Sequence, residues 1–295
     1  MPRGRRRPRR LCALLAAALG ARARCAAEVA PPQDGAGSAV QGMSVAAAMA
    51  EASAASASAS LPGWAARGRI DRVAESIAIG ADVSSRDGSG GTALHAAARG
   101  GHTRVMHFIL DHGADVDAAD AQGLRPLHCA ALHGHAMAAG ALLDAGAAPG
   151  RPADRWGQQP LHLAARTGVP AAVEMLLIRG APVDEVDIEG CTPLLWAAYS
   201  GQGEVVRLLL RQGASVDVPD ESGQTPLHWA ARGHADSVAM LLARGASPDA
   251  RDAEGRTPAF WAEHEGHSEV LEMLGGDGAA RIGRPPQPWA VDVEL

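Results

Sequence analysis

Apolar residues recur along this chain with a period of about 33 residues. Each unit begins at a glycine, and successive unit glycines are 33, 34, 33, 33 and 32 residues apart. These glycines are Gly90, Gly123, Gly157, Gly190, Gly223 and Gly255. Five units carry a second apolar stretch that ends in an apolar pair before another glycine, namely Ile109-Leu110, Leu142-Leu143, Leu176-Leu177, Leu209-Leu210 and Leu241-Leu242. This period predicts an array in which each unit buries its apolar face against its neighbours.

The residues around each apolar stretch predict helix–turn–helix units. Thr192 and Thr225 can cap the free amides of a helix start, and the proline after each fits the first turn, where its missing N–H is not needed. The glycines after the stretches suit the left-handed conformation just past a helix end. Asp-rich turns such as 115–120 follow the second helix and predict projecting hairpin fingers. We therefore expect an all-α fold of stacked helix–turn–helix units with β-hairpin fingers.

Two further motifs recur in the same register. The motif Thr-Pro-Leu-His is complete at 225–228. A histidine also follows the turn glycine in four units, as His102, His135, His234 and His267. With these motifs the chain resembles the ankyrin-repeat family over residues 61–280, with shortened repeats at 61–89 and 255–280. The resemblance implies an ankyrin-repeat solenoid whose inner helices and fingers line a concave binding face.

Some units depart from the family pattern. Arg125 and Gln159 stand where a capping threonine is expected, which should weaken each helix start by about 1 kcal/mol. One extra finger residue lies within 147–152, and one residue is missing before Arg232-Gly233. These irregularities predict local changes in the stacking of the units.

The N-terminal residues have the pattern of a targeting leader. Eight arginines precede the first acidic residue, Glu28, and an apolar run at 11–19 is followed by a candidate cleavage site with small residues, Ala21-Arg22-Ala23. Residues 1–25 therefore predict a signal peptide or an Arg- and Ala-rich transit peptide, with a disordered basic tail as the alternative. Secretory or organellar routing is thus expected, and a cytoplasmic location is the alternative.

Two more segments flank the repeats. Residues 26–60 are rich in Ala and Ser and predict a flexible linker, while 281–295 form a Pro-rich tail. The apolar run of the leader is too short to cross a bilayer, so we expect no integral membrane span.

The net charge of the chain indicates which class of partner to expect. Without the eight leader arginines the chain has 19 basic and 33 acidic residues, a net charge of −14. Such a body should repel nucleic acid and favour basic or neutral protein partners.

The sequence predicts no catalytic, metal or cofactor site. Eight of its twelve histidines occupy positions that recur once per layer, too far apart for tetrahedral ligation of a metal ion, and are expected to hydrogen-bond between repeats. A nucleophile elbow, a phosphate-binding loop and a kinase signature are all missing. Cys129 and Cys191 lie two repeats apart, beyond the span of a disulfide. We therefore predict that the protein is not an enzyme.

The residue after each Leu-His step gives the sharpest functional signal. In order along the chain these residues are Ala96, Cys129, Leu163, Trp196, Trp229 and Trp261. Tyr199 follows Trp196 by three residues and shares its helical face. We predict a partner-binding aromatic ladder formed by Leu163, Trp196, Tyr199, Trp229 and Trp261, with packing between repeats as the alternative.

A more remote alternative comes from a second resemblance. Neighbouring tryptophans form a methyl-lysine cage in the similar ankyrin module of histone lysine methyltransferases. Here Cys191 and Tyr199 replace a further tryptophan and an acid of that cage, so a methyl-lysine reader would have an incomplete cage.

A second candidate contact lies at the lengthened finger, where Trp156 is preceded by Arg151 and Arg155. Aromatic and arginine side chains commonly anchor protein interfaces. The predicted function is a monomeric, non-enzymatic scaffold or adaptor that binds a partner protein of unknown identity on the concave face. The alternative is a regulatory subunit or inhibitor that docks on an enzyme, as in the similar ankyrin-type kinase inhibitors.

Overall fold

The computed structural model describes residues 45–150 and 156–275, and this part of the chain contains fourteen α-helices and no β-strand. The helices are α1 Val45–Ala66, α2 Ile70–Ala78, α3 Ala93–Arg99, α4 Thr103–Asp111, α5 Pro126–Leu132, α6 Ala136–Asp144, α7 Pro160–Thr167, α8 Pro170–Ile178, α9 Pro193–Tyr199, α10 Gly203–Arg211, α11 Pro226–Ala230, α12 Ala235–Ala243, α13 Pro258–Glu265 and α14 Ser268–Leu274. The predicted leader 1–25, Arg151, Arg155 and the tail 281–295 lie outside the described residues.

The helices form two layers. Odd-numbered helices pack on one another as an inner row, even-numbered helices form an outer row, and the two members of each pair also pack together. The first member of each predicted apolar pair is fully buried between the rows, at Ile109, Leu142, Leu176, Leu209 and Leu241. The predicted all-α repeat architecture is thus confirmed. No helix in the described ranges is both long and apolar enough to cross a bilayer.

A histidine in the first turn of several inner helices links one unit to the next. In α3 the backbone N–H of Thr92 donates to His95 Nδ1 at 3.0 Å, so the ring proton must lie on Nε2. That Nε2 donates to the carbonyl oxygen of Leu124, one unit further on, at 2.9 Å. Burial lowers the pKa of His95 and favours this neutral form.

The helices that follow Arg125 and Gln159 keep the backbone hydrogen bond to the histidine. The backbone N–H groups of Arg125 and Gln159 donate to Nδ1 of His128 and His162 at 3.3 and 3.1 Å. What they lack is the threonine hydroxyl, which in Thr92 lies 2.9 Å from His95 Nδ1. The sequence change therefore removes one contact at each start and leaves the helix in place.

The fingers are tight turns. In one of them the N–H of Asp120 donates to the carbonyl of Leu124 at 2.8 Å, and the N–H of Ala121 donates to Ser89 of the preceding finger at 3.1 Å. The predicted β-hairpin strands are not formed in the described residues, where only Arg86 and Thr92 make an isolated bridge. One backbone bond between neighbouring fingers is too few to build a ladder of strands.

The first helix differs from the sequence prediction, because residues 45–60 of the expected linker are helical. Ala has a high helix propensity, and Ala57 and Leu61 enter the core. Pro62 cannot donate to the carbonyl of Ser58, four residues earlier. The hydroxyl of Ser85 donates to that carbonyl at 2.8 Å, so the kink-prone position is tied to the first finger.

The glycine turns need a left-handed backbone. Gly201 has φ 66°, and a Cβ there would lie 2.3 Å from Nδ1 of His234 in the next unit. Where one residue is missing, α11 has only five residues and Gly233 takes φ 122°. The deletion is thus absorbed at the end of that inner helix.

Candidate binding surface

The three tryptophans of the predicted ladder lie one on each of α9, α11 and α13. Their exposed fractions are 3% for Trp196, 8% for Trp229 and 9% for Trp261, and Leu163 on α7 is equally buried. The expectation that these rings form an open aromatic surface is therefore not met. Their contacts explain why.

Each indole N–H donates to an aspartate of the finger that precedes its helix. Trp196 Nε1 lies 2.9 Å from Asp187 Oδ2, and the corresponding distances are 3.0 Å for Trp229 and Asp220 and 3.4 Å for Trp261 and Asp252. The other carboxylate oxygen accepts two N–H groups of its own finger. For Asp187 these come from Glu189 and Cys191, both at 3.0 Å. One carboxylate thus fixes both the finger turn and the ring behind it.

The surroundings of Asp220 and Asp252 shift the pKa values of these two carboxyl groups in opposite directions. Burial raises the pKa of Asp220, and the hydrogen bonds from Gln224 and Trp229 offset this only in part. Burial also disfavours the ionised form of Asp252, but hydrogen bonds from Arg256 outweigh it and lower the pKa. Because Asp252 Oδ2 accepts from Arg256 at 2.8 Å, its contact with Trp261 is the longest of the three.

The faces and edges of the rings are covered by side chains of neighbouring units. Tyr199 packs edge-on between Trp196 and Trp229, with ring centroids 5.9 and 5.0 Å apart. This confirms that Tyr199 shares a face with Trp196. Arg166 lies 5.6 Å from the centroid of the Trp196 ring. The tryptophans are therefore interleaved with tyrosine and arginine along the inner helices.

Arg232 occupies the space between the last two rings. Its guanidinium carbon lies 4.1 Å from the Trp229 centroid and 4.0 Å from the Trp261 centroid. The Nη2 atom of the same group donates to Gln224 at 2.9 Å. A methyl-lysine would have to displace this internal cation, so the arrangement does not favour the methyl-lysine alternative.

A different set of side chains is accessible at the fingers, in what we call the central fingertip surface: Trp156, Glu185, Val186, Ile188 and Glu221. Val186 is 49% exposed and Ile188 is 55% exposed. The N–H of Ile188 donates to the carbonyl of Trp156 at 3.0 Å, which joins two neighbouring fingers. Glu185 and Glu221 are also exposed. The two apolar residues were not predicted from the sequence. They are the apolar residues of the otherwise acidic stretch 184–189, a pattern that is unusual but does not by itself determine their exposure.

The described residues offer little for covalent chemistry. Burial raises the pKa of the Cys129 thiol to about 11, which leaves it protonated at neutral pH. Cys191 is a second buried cysteine that lies outside any disulfide. Within the described ranges no group of three or more His, Cys, Asp or Glu side chains could hold a metal ion.

Comparisons with known proteins point to one kind of repeat. The family model described as ankyrin repeats (3 copies) matches residues 63–153, 142–220, 161–252 and 213–283. The crystal structure of the human ASB11 ankyrin repeat domain is similar, with a TM-score of 0.67 and 29% sequence identity. That similarity covers 77% of this chain and 98% of the other. A comparison with curated protein sequences finds no match.

Proposed function

Since the chain belongs to the ankyrin-repeat family, whose repeats typically act as non-enzymatic interaction modules, we propose that it is a scaffold or adaptor for a partner protein. The partner binds the side formed by the inner helices and fingers. One observation carries this proposal: finger carboxylates such as Asp187 and Asp220 hold their own turn and an indole behind it. A surface fixed in this way loses little conformational entropy on binding.

The predicted contact residues have two roles in this proposal. Tyr199 and Trp156 are partly exposed and contact the partner directly, together with Arg151 and Arg155 beside Trp156 in the sequence. The buried ladder residues act through the fingers that they support, and these residues are Leu163, Trp196, Trp229 and Trp261. The binding energy then comes from the finger side, while the ladder keeps that side in shape.

Proximity labelling in the native organism tests this function. The full chain is fused to a biotin ligase and compared with the double variant Tyr199→Ala/Ile188→Ser. The matched control is Met137→Ser, which alters an exposed apolar residue on the outer helix α6. We expect a set of proteins that is labelled by the wild type and the control but not by the double variant.

Identical labelling by all three chains would contradict binding on the finger side. If the labelled protein is an enzyme, its activity with and without the purified chain separates a scaffold from an inhibitor. An unchanged activity supports the scaffold, and a dose-dependent loss supports the alternative of an inhibitor.

A further inference from the structure

The central fingertip surface has a chemistry that selects among protein partners. We propose that it binds a partner segment in which basic side chains flank an apolar anchor. This inference rests on the proposed function and adds the class of segment that the surface recognises.

Val186 and Ile188 present exposed apolar side chains at this surface. The corresponding positions of the other described fingers have small, polar or charged residues, namely Arg86 and Gly88, Ala119 and Ala121, Pro219 and Glu221, and Arg251 and Ala253. A Cβ on Gly157 would lie 3.3 Å from Cγ2 of Ile188, so the isoleucine lies over the neighbouring finger, next to Trp156. Val186, Ile188 and Trp156 thus give the middle of the finger row exposed or partly exposed apolar side chains, of the kind that anchor interfaces.

Two exposed carboxylates lie next to these apolar residues. Glu185 precedes Val186, and Glu221 occupies on the next finger the position that Ile188 has on its own. At the position of Val186, arginines occur in two fingers distant from it, as Arg86 and Arg251, while Arg155 directly precedes Trp156 in the sequence of the preceding finger. An acidic rim on the side of Glu185 and Glu221 is complementary to an apolar side chain that has Arg or Lys beside it.

The surface is also held in place before any partner arrives. The buried carboxylate of Asp187 accepts two N–H groups of the finger that presents Ile188, and its second oxygen accepts the Trp196 indole N–H. Backbone bonds tie the same finger to both neighbours, from Ile188 to Trp156 and from Glu221 to Glu189. The apolar centre and acidic rim therefore keep their spacing, which favours specific recognition.

Selection from a display library of short random peptides on the immobilised full chain tests this proposal. We expect the enriched peptides to combine Arg or Lys with a Leu, Ile, Val or Phe. Their affinity should fall about tenfold with Ile188→Ser and by a similar factor with Glu185→Gln/Glu221→Gln. The charge variant should also reduce the salt dependence of binding.

Matched controls alter the same residue types away from the fingers. Ile178→Ser changes an exposed apolar residue on the outer helix α8, and Glu269→Gln/Glu272→Gln removes two exposed carboxylates on α14. Both should leave peptide affinity unchanged, and all variants should keep the circular dichroism spectrum and melting temperature of the wild type.

The possible failures are distinguishable. Peptides that lack basic residues, or whose binding ignores the fingertip variants, would overturn the fingertip proposal and leave binding elsewhere on the finger side intact. No enrichment at all would overturn recognition of a short segment, while the proximity-labelling comparison still reports on a folded partner. Equal losses of peptide affinity in the control variants would show that binding does not depend on the fingertip residues. That result would also overturn the fingertip proposal.

Discussion

Each ladder tryptophan lies nine residues after an aspartate and bonds to it, as the pairs Asp187/Trp196, Asp220/Trp229 and Asp252/Trp261 show. Three earlier units have an aspartate at the same spacing, Asp87, Asp120 and Asp154, but Ala96, Cys129 and Leu163 instead of tryptophan. This spacing was present in the sequence. The bond between aspartate and tryptophan was nevertheless not predicted, because the helix face of the tryptophans does not show that they contact the preceding finger.

The bond to the finger can be tested at Trp229. The substitution Trp229→Phe keeps most of the buried ring but leaves Asp220 Oδ2 without its indole donor, which should cost about 1–3 kcal/mol. Trp229→Ala should cost more, about 3–5 kcal/mol, because it also opens a cavity. Urea denaturation followed by circular dichroism measures both values.

Trp64 provides the control, because it is partly buried but forms no bond to a finger aspartate. Trp64→Phe should change the free energy of unfolding by less than Trp229→Phe. Equal losses for the two phenylalanine variants would show that the indole–carboxylate bond adds no stability.

At the scale of the helix, the first turn of five inner helices is stabilised by a proline together with a threonine, a histidine or both. A proline was predicted in the first turn of the helices that follow Thr192 and Thr225, and Pro193 and Pro226 begin them. Three further inner helices also begin at a proline, namely Pro126, Pro160 and Pro258. Where histidine is absent from the first turn, as at Leu195, the hydroxyl of Thr192 accepts the N–H of that residue at 3.2 Å. Where histidine is present, its ring takes over part of the capping.

Gln159→Thr should therefore stabilise the protein. Gln159 Oε1 is buried without a hydrogen-bond partner, whereas the Thr225 hydroxyl at the same position of its unit lies 2.9 Å from His228 Nδ1. Replacing the amide by a hydroxyl should raise the free energy of unfolding by about 1 kcal/mol. The reverse change, Thr225→Gln, should lower it by a similar amount in the same urea titration. A neutral or destabilising Gln159→Thr would contradict this account of the cap.

The first helix shows where sequence reasoning reached its limit. Residues 53–60 alternate Ala and Ser without an apolar period, so the pattern alone suggested a linker. The helix gains its support from distant residues, since Ser58 Oγ accepts the N–H of Asp82 at 2.8 Å and Leu61 is buried in the core. Contacts over such distances in the chain cannot be predicted from a local pattern.

Ser58→Ala tests this contact. The change leaves the N–H of Asp82 without its partner and should lower the free energy of unfolding by about 1 kcal/mol. Ser56→Ala is the control, because Ser56 is exposed on the same helix and alanine has the higher helix propensity. Thermal melts of the two variants should differ in sign or clearly in size. Equal melting temperatures would mean that the helix does not depend on the finger contact.

For the whole molecule, the 33-residue period was sufficient to predict the repeat fold, because a period shared by all units is independent of any single contact. The surface was harder to predict. Trp196 is buried because Arg166 and Tyr199 pack against its ring. These contacts depend on the three-dimensional arrangement of the helices. The exposure of Ile188 depends on how the fingers stack, and no residue pattern within one finger determines that.

Stability as a function of pH should report on the contacts that join the repeats. His95, His162 and His228 donate from Nε2 to carbonyl oxygens of the following units, at Leu124, Cys191 and Arg256. Burial lowers the pKa of all three rings below the ordinary value near 6.5. As pH falls below about 6.5, the unfolded chain takes up protons that the folded chain does not yet bind. The stability present above that pH is then lost, by up to about 1.4 kcal/mol per pH unit for each histidine.

Urea denaturation at several pH values between about 8 and 5 measures this slope. His228→Gln should lower stability at pH 8, because it removes the link to Arg256, and should also make the slope shallower. His112→Gln is the matched control, because His112 is exposed and bonds only within its own helix, to the carbonyl of Phe108. It should leave the slope unchanged. A wild-type free energy of unfolding that stays constant or rises on acidification would show that the three rings are not held neutral, and the histidine links between repeats would then need a different explanation.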